Sequence, residues 1–251
     1  MNLIIDIGNT RFKYAFCIPG KVVKIGVGWE KLLEEMEERK LQGEKLAIFL
    51  SGSGRIEESL KVQLEKEAAY WLDASEEVKY PLKIDYQSPT TLGVDRVAVC
   101  VGACCLFPET DLLVINSGTA ITYNYVTKSK VFLGGNISPG QEIRFRALHL
   151  FTAKLPYLEG NAEFGEMGRT TEEAIRNGVM NGMLFEIQRY IDSFYRDFPE
   201  GKVVLTGGNS FYMKSKLSPV VAYEENLGFI GLDLILSLIH ISEPTRRVVI
   251  S

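Results

Sequence analysis

The chain reads as an α/β protein in which mixed sheets are flanked by helices and the pattern is built twice. Three observations predict this. Short apolar runs that end in glycine turns alternate with segments of helical period. The stretch Leu3-Ile4-Ile5-Asp6-Ile7-Gly8-Asn9-Thr10 is echoed 110 residues later by Leu113-Val114-Ile115-Asn116-Ser117-Gly118-Thr119-Ala120. Finally, 251 residues with 46% apolar and 24% charged side chains can fill two modest cores without staples, which sets aside disorder, collagen and coiled coil.

In chain order, Leu3 to Asp6 is an apolar strand entering a turn at Gly8-Asn9. Phe12, Tyr14 and Phe16 alternate with Lys13 and Ala15, the period of a second strand, and Val22 to Val27 supplies a third. Trp29 to Leu41 carries apolar residues at helical spacing among Glu and Lys. Leu46 to Leu50, stopped by Ser51-Gly52-Ser53-Gly54, suits a buried parallel strand, and a helix is expected over 56–70. Tyr80 to Tyr86 is strand-like. Pro89 and Gly93 punctuate a loop before an apolar helix over 97–106, with Asp95 in its first turn. Strands follow at 111–116, 121–126 and 131–136, and Pro139 is expected to open a helix. A long helix runs from Thr171 to about Phe198, capped by Thr170 or Thr171 with Glu172 and Glu173 near its positive end. Val203 to Leu205 is a last buried strand, stopped by Thr206-Gly207-Gly208-Asn209.

Charge and cysteine usage narrow the partners. With 28 Lys plus Arg against 32 Asp plus Glu and no basic run, the footprint of a nucleic-acid binder is missing, and a small-molecule ligand is expected. Cys17, Cys100, Cys104 and Cys105 have neither metal-ligand spacing nor a secreted disulfide framework; the last three fall on an expected apolar helix face. Reduced thiols point to the cytoplasm. No stretch of 18 apolar residues and no export leader is read, so neither membrane nor secretion is expected.

Three glycine turns carry the chemistry. In the first, Gly8 lets backbone amides approach an anion, Lys13 adds a point charge suited to phosphate, and Asp6 can hold Mg²⁺ directly or through water. Taken alone, the same residues serve equally as a hairpin turn with Asp and Asn in local hydrogen bonds. The second turn, Ser117-Gly118-Thr119-Ala120, and the third, Thr206-Gly207-Gly208, favour nucleotide binding, because repeated glycine and hydroxyl turns at strand ends suit a polyphosphate held from two sides. Gly93-Val94-Asp95-Arg96 admits two readings. Asp95 beside an acceptor hydroxyl can take its proton while Arg96 holds a carboxylate, or the pair merely decorates a helix N-terminus.

At these residues the chain resembles the superfamily of acetate and sugar kinases, actin-like proteins and Hsp70 chaperones, and within it the type III pantothenate kinase family. Asp6-Ile7-Gly8-Asn9-Thr10-Arg11-Phe12-Lys13 is similar to that family's first phosphate motif, Asn116 to Thr122 to its second, and Leu205 to Gly208 to its adenosine motif. Gly93 to Arg96, Gly134 to Gly140, Thr152 to Pro156 and Gly168 to Thr171 extend the resemblance, which covers about residues 2 to 235. It implies duplicated ribonuclease H-like (actin-like ATPase) domains with an ATP cleft between them, and ATP-dependent phosphorylation of pantothenate to 4′-phosphopantothenate, the first step towards coenzyme A. It further implies Asp95 as general base; Tyr86, Gly93, Val94, Asp95, Arg96 and Thr171 as contacts to pantothenate; and a pocket completed across a homodimer interface. Asp6 to Lys13, Gly118, Thr119, Gly207 and Gly208 would bind ATP. The family holds K⁺ or NH₄⁺ at the acidic residue that opens its second phosphate motif. Here that position is Asn116, and Asn124 likewise replaces a usual Asp, so weaker cation dependence is expected. A non-catalytic ATP-binding regulator, or a kinase of the same fold for another hydroxyl, are the alternative readings.

The expected organisation is a first domain over 1–108, a second over 109–235, and a tail over 236–251. Leu236-Ser237-Leu238-Ile239-His240-Ile241-Ser242-Glu243-Pro244-Thr245-Arg246 reads as the forward translation of a transposase-type sequencing adapter, so that tail is set aside as foreign. His149 is read as a surface or dimer-contact residue.

Overall fold

A computed structural model describes residues 1–8, 12–52, 54–75, 78–159, 163–208, 210, 213–218 and 221–242. The chain forms two compact units, the first comprising residues 1–108, 130–132 and the segment from Asn226 onward, the second 109–129 and 133–225.

In the first unit, β1 (Asn2–Ile7), β2 (Phe12–Ile18) and β3 (Lys21–Val27) form an antiparallel meander, and α1 (Trp29–Leu41) follows it. β4 (Ala47–Gly52) runs parallel to β1, α2 (Glu58–Glu67) crosses over, and β5 (Tyr70–Asp73) adds a parallel edge, giving the order β3-β2-β1-β4-β5. The sheet is central and apolar because Leu3, Ile5, Tyr14, Phe16 and Ile48 are all fully buried, packed with Leu32 and Leu64 from α1 and α2. β5 corrects the helix expected over 56–70. The backbone turns extended at Ala68, and Tyr70 and Leu72 are buried, so tertiary pairing overrides a helical reading of the segment's end.

β6 (Lys83–Ile84), much shorter than the strand expected over 80–86, pairs with Val131 and Phe132. A 3-10 turn over Pro89–Thr91 leads into α3 (Val94–Leu106). α3 buries Val97, Cys100, Val101 and Cys104; Cys105 faces solvent, so the expected three-cysteine face holds two.

In the second unit, β7 (Leu112–Ser117) and β8 (Ala120–Val126) form a hairpin, continued by β9 (Val131–Pro139) and α4 (Gln141–Leu150). α5 (Thr171–Asp197) is the long helix, and β10 (Lys202–Thr206) with the short β11 (Ala222–Tyr223) extends the sheet parallel to β7. Leu113, Ile115, Ile121, Tyr123, Val203 and Leu205 are buried against Met180, Met183, Ile187 and Ile191 of α5. Thr170 and Glu173 cap α5 reciprocally, Glu173 N–H donating to Thr170 Oγ1 at 3.2 Å and Thr170 N–H to Glu173 Oε2 at 3.2 Å. Pro139 ends a strand instead of opening a helix: Gly140 is the cap residue of α4, and its N–H donates to Thr119 O at 3.0 Å.

α6 (Leu227–Ser242) was not anticipated from the residue pattern. Contacts place it in the first unit, against α3 and β1, and not in the second half of the chain as the expected 109–235 boundary would have it. Leu232, Ile235, Leu236 and Ile239 are buried at helical spacing, so the start of the segment set aside as a tail continues the same apolar stripe. Asp233, fully buried, accepts from Asn2 Nδ2 and from Gly20 N–H, both at 2.7 Å, and so anchors α6 to the meander. The remainder of that tail, from 243 on, lies outside the described residues.

The duplication is legible in three dimensions within each unit. β1 has an antiparallel neighbour carrying Lys13 opposite Asp6 and a parallel neighbour carrying Ser51; β7 has Thr122 opposite Asn116 and Thr206 on its parallel side. Both parallel neighbours end in a glycine of positive φ, Gly52 at 121° and Gly207 at 97°. A Cβ on Gly52 would overlap Ile7 O, and one on Gly207 would meet Ser117 O at 2.5 Å, equivalent positions in the two hairpins.

Candidate active site

In the first unit the candidate residues converge. Asp6 stands near the end of β1 with Lys13 as its cross-strand neighbour on β2. Burial pushes the Asp6 carboxyl up to about 6, the negative charge of Asp95 adds to the rise, and Lys13 opposes it. Asp95 sits in the first turn of α3, exposed, with the positive end of the helix beneath it. The two carboxylates therefore share one neighbourhood, one half-buried and one in solvent.

Arg96 is only 5% exposed, which removes the reading in which it is a solvated helix-end residue. Its guanidinium lies 5.7 Å from the Tyr86 ring and 5.6 Å from the Phe132 ring, and those rings meet edge to face at 6.0 Å. Phe132 is held there by the β6 pairing, in which Asp85 N–H donates to Phe132 O at 2.9 Å. A guanidinium dehydrated between two rings is poised for a planar anion such as a carboxylate. Phe132 was not singled out in the sequence; nothing local distinguishes it from any other buried strand residue. Gly93 and Val94, the cap and first residue of α3, lie beside this pair.

Gly8, Phe12 and Lys13 flank the first turn. Asn9, Thr10 and Arg11, assigned to nucleotide binding with them, lie outside the described residues.

In the second unit Gly118 and Thr119 form the β7–β8 turn, with Gly118 N–H donating to Ala120 O at 3.0 Å and Thr119 exposed. Asn116 is partly buried on β7, and a Cβ on Gly207 would come within 2.6 Å of its Oδ1. Gly207 is thus required by its own packing, whereas Gly208 borders open space and leaves a surface for a ligand. Asn124, fully buried, donates from Nδ2 to Thr122 Oγ1 at 3.0 Å and to Val114 O at 3.2 Å. Thr171, the first residue of α5, lines an open apolar groove of about 840 Å³ with Leu148, Phe151, Leu155, Ile175 and Val179. His149 is exposed, its Nδ1 2.9 Å from Leu155 O. Among the described residues no group of three or more His, Cys, Asp or Glu side chains could hold a metal, and no helix is long and apolar enough to cross a membrane.

The family model for type III pantothenate kinase matches residues 2–193. A type III pantothenate kinase from Phocaeicola vulgatus is 37% identical over 237 residues, covering 94% of this chain and 98% of that protein. One from Bacteroides fragilis is 38% identical over 239 residues, with the same coverage. Among solved structures, a Baf family protein from Campylobacter jejuni superposes with a TM-score of 0.57 at 21% identity, covering 94% of this chain and 98% of that one. An activator of 2-hydroxyisocaproyl-CoA dehydratase from Clostridium difficile, with bound ADPNP, gives 0.56 at 15% identity over 100% of this chain and 99% of that one. These two likenesses bear on fold, and they agree with duplicated actin-like ATPase domains.

Proposed function

The chain belongs to the type III pantothenate kinase family, and from that premise we propose how its own residues divide the work. The reaction moves the γ-phosphoryl group of ATP to the primary hydroxyl of pantothenate, giving 4′-phosphopantothenate for coenzyme A biosynthesis. Asp95 accepts the hydroxyl proton as the oxygen attacks, and Arg96, with Tyr86 beside it, holds the pantothenate carboxylate. Gly93 and Val94 line the same pocket, and Thr171 of the second unit is a further contact to pantothenate. The observation that carries this reading is the dehydrated Arg96 between Tyr86 and Phe132, one residue from the exposed Asp95 carboxylate. A coupled ADP-release assay with pantothenate against a small panel of polyols tests it; equal rates with a polyol would overturn the substrate assignment.

ATP is bound by the turn residues: Ile7 to Lys13 in one hairpin, Gly118 and Thr119 in the other, and Gly207 with Gly208 at the nucleoside end. In a loose phosphoryl-transfer transition state the gain comes from positioning and charge neutralisation, which backbone amides and Lys13 provide. Asp6 is the residue that would hold Mg²⁺, through water. The half-buried Asp6 carboxylate, with the Asp95 carboxylate in the same neighbourhood, fits that ion, which keeps most of its waters and takes its other ligands from phosphate. When bound, Mg²⁺ neutralises charge on the transferring group.

The monovalent cation fits less well. Asn116 offers an amide oxygen without formal charge, on a side chain already packed against Gly207. The wild-type rate is expected to depend only weakly on K⁺, and Asn116→Asp is expected to lower the K⁺ concentration for half-maximal rate about tenfold, the order of one added charge at contact in a partly solvated site. Titration of rate against K⁺ for both proteins decides it; wild-type saturation at the same K⁺ as the variant would sink the idea.

The protein acts as a cytoplasmic homodimer in this reading. The groove lined by Phe151 (86% exposed), Leu148 and Leu155 is the face that a second copy covers, with Leu150 (69% exposed) beside it, since so much exposed apolar surface in one place is unusual on a monomer. Sedimentation is expected to give a dimer for wild type and a monomer for Phe151→Arg; a monomeric wild type at assay concentration would remove the dimer.

A further inference from the structure

One polar network in the second unit has no part in the catalytic or ligand-binding roles given above, although its Arg144 borders the groove assigned to the second copy. Arg144, in the second turn of α4, donates from Nε to Pro139 O at 2.7 Å and from Nη2 to Ser138 Oγ at 2.9 Å, and forms an ion pair with Glu186 of α5. Glu186 also accepts from the Tyr123 hydroxyl at 2.9 Å, and Tyr123 stacks on Tyr190 of α5 at 3.8 Å. The Arg144 and Glu186 side chains are 21% and 26% exposed, so solvent screens the pair only in part. Burial works to raise the Glu186 carboxyl, but hydrogen bonds from Arg144, Ser138 and Tyr123 outweigh it and hold the group below its ordinary value. The Glu186 carboxylate is therefore held in its charged form by three donors.

Its geometry has a direction. What Arg144 grips is the end of β9, Ser138 and Pro139, and the next residue, Gly140, bonds to the β7–β8 turn through its N–H to Thr119 O. Gly140 fits so closely that a Cβ there would overlap the carbonyls of Gly118 and Thr119. Pro139 removes torsional freedom between the gripped atoms and the contact. Tyr123, the other arm, lies on β8, four residues past Thr119. The β9 arm reaches the turn directly through Gly140, and the Tyr123 arm ties Glu186 to the strand that leaves the turn.

We infer that Arg144 and Glu186 are positioning residues for the nucleotide: from α4 and α5 they hold the Ser138–Gly140 segment against the Gly118–Thr119 turn, fixing the turn that contacts ATP. The inference rests on the assignment of Thr119 to ATP. No residue spacing announces it, because Arg144 and Glu186 are 42 positions apart.

The test compares wild type with Arg144→Ala, Glu186→Ala, the double variant and Thr119→Ala in steady-state kinetics for both substrates, with melting temperature and sedimentation on each. Each single clamp variant is expected to lower kcat/KM for ATP about tenfold, and the double variant little further, because the two residues act as one unit. KM for pantothenate stays within about twofold; because Arg144 also lines the groove given to the second copy, the rates are compared at concentrations where sedimentation shows each variant dimeric and at a temperature below its melting point. Glu186→Gln, which keeps the shape and one acceptor, is expected to recover part of the loss and is the variant to read if Glu186→Ala fails to fold. If both substrates suffer equally, or the double variant loses the product of the two singles, the positioning role is overturned. Should Thr119→Ala damage ATP use while the clamp variants do not, the clamp fails and the phosphate turn stands. If Thr119→Ala is harmless, the assignment of the turn fails, and the inference with it.

Discussion

Asp95→Asn is expected to lower kcat about a hundredfold while KM for ATP moves less than about twofold, within the range that loss of a positioned general base produces. The loss stops short of abolition because the loose transition state owes most of its stabilisation to the phosphate-binding groups, which the substitution leaves in place. Stability changes little: Asp95 is exposed, and an amide in the first turn of α3 gives up only its favourable charge at the helix end. The same variant carries a second signature. Asp6 is pushed up to about 6 by burial first and by the Asp95 charge second. At subsaturating Mg²⁺, kcat/KM for ATP in wild type is expected to fall as pH drops through about 6, where Asp6 takes up a proton and ceases to attract the ion. In Asp95→Asn the fall moves to lower pH, because one of the two causes is gone, yet Asp6 still titrates above an ordinary carboxylate because burial remains. Full turnover by Asp95→Asn would take the base role from Asp95. An unmoved acid limb would mean that the two carboxylates do not share one site.

Arg96→Met is expected to raise KM for pantothenate about a hundredfold, with KM for ATP unchanged. The guanidinium is dehydrated between Tyr86 and Phe132, so a carboxylate bound there makes charge-assisted hydrogen bonds that water barely weakens, about 3 kcal/mol for a bidentate pair. Met fills the slot between the rings, so the fold persists and the loss is one of binding. Pantothenol, which carries a hydroxymethyl group in place of the carboxylate, serves as the control. Arg96→Met is expected to treat it no worse than wild type does. An equal loss for both compounds would show that Arg96 supports the pocket's shape and does not recognise the acid.

Several elements of this protein are local in origin, and the residue pattern announces them. The apolar strands ending in Asp6-Ile7-Gly8 and Asn116-Ser117-Gly118, and the capping box that opens α5, depend on interactions within a few residues, so period and turn chemistry suffice. The kinase family was legible for the same reason, since its motifs are short turns in a fixed order. Other elements depend on distant partners. The β5 edge was not legible because only pairing with β4 makes Tyr70–Asp73 a strand. α6 carried no signal as a partner of α3, since nothing in either helix names the other.

The candidate site divides along the same line. The sequence by itself singled out the residues to which chemistry is proposed: Asp6, Lys13, Asp95, Arg96, and the glycines whose missing side chains let backbone approach backbone. Only the tertiary structure decided their state. Burial set the Asp6 carboxyl near 6, the Tyr86 and Phe132 rings came to lie on either side of a buried Arg96, and an ion pair spanning 42 residues joined α4 to α5. The reason is physical: a residue's type is written in the chain, but its solvation and its neighbours' charges are set by whatever the rest of the fold brings against it.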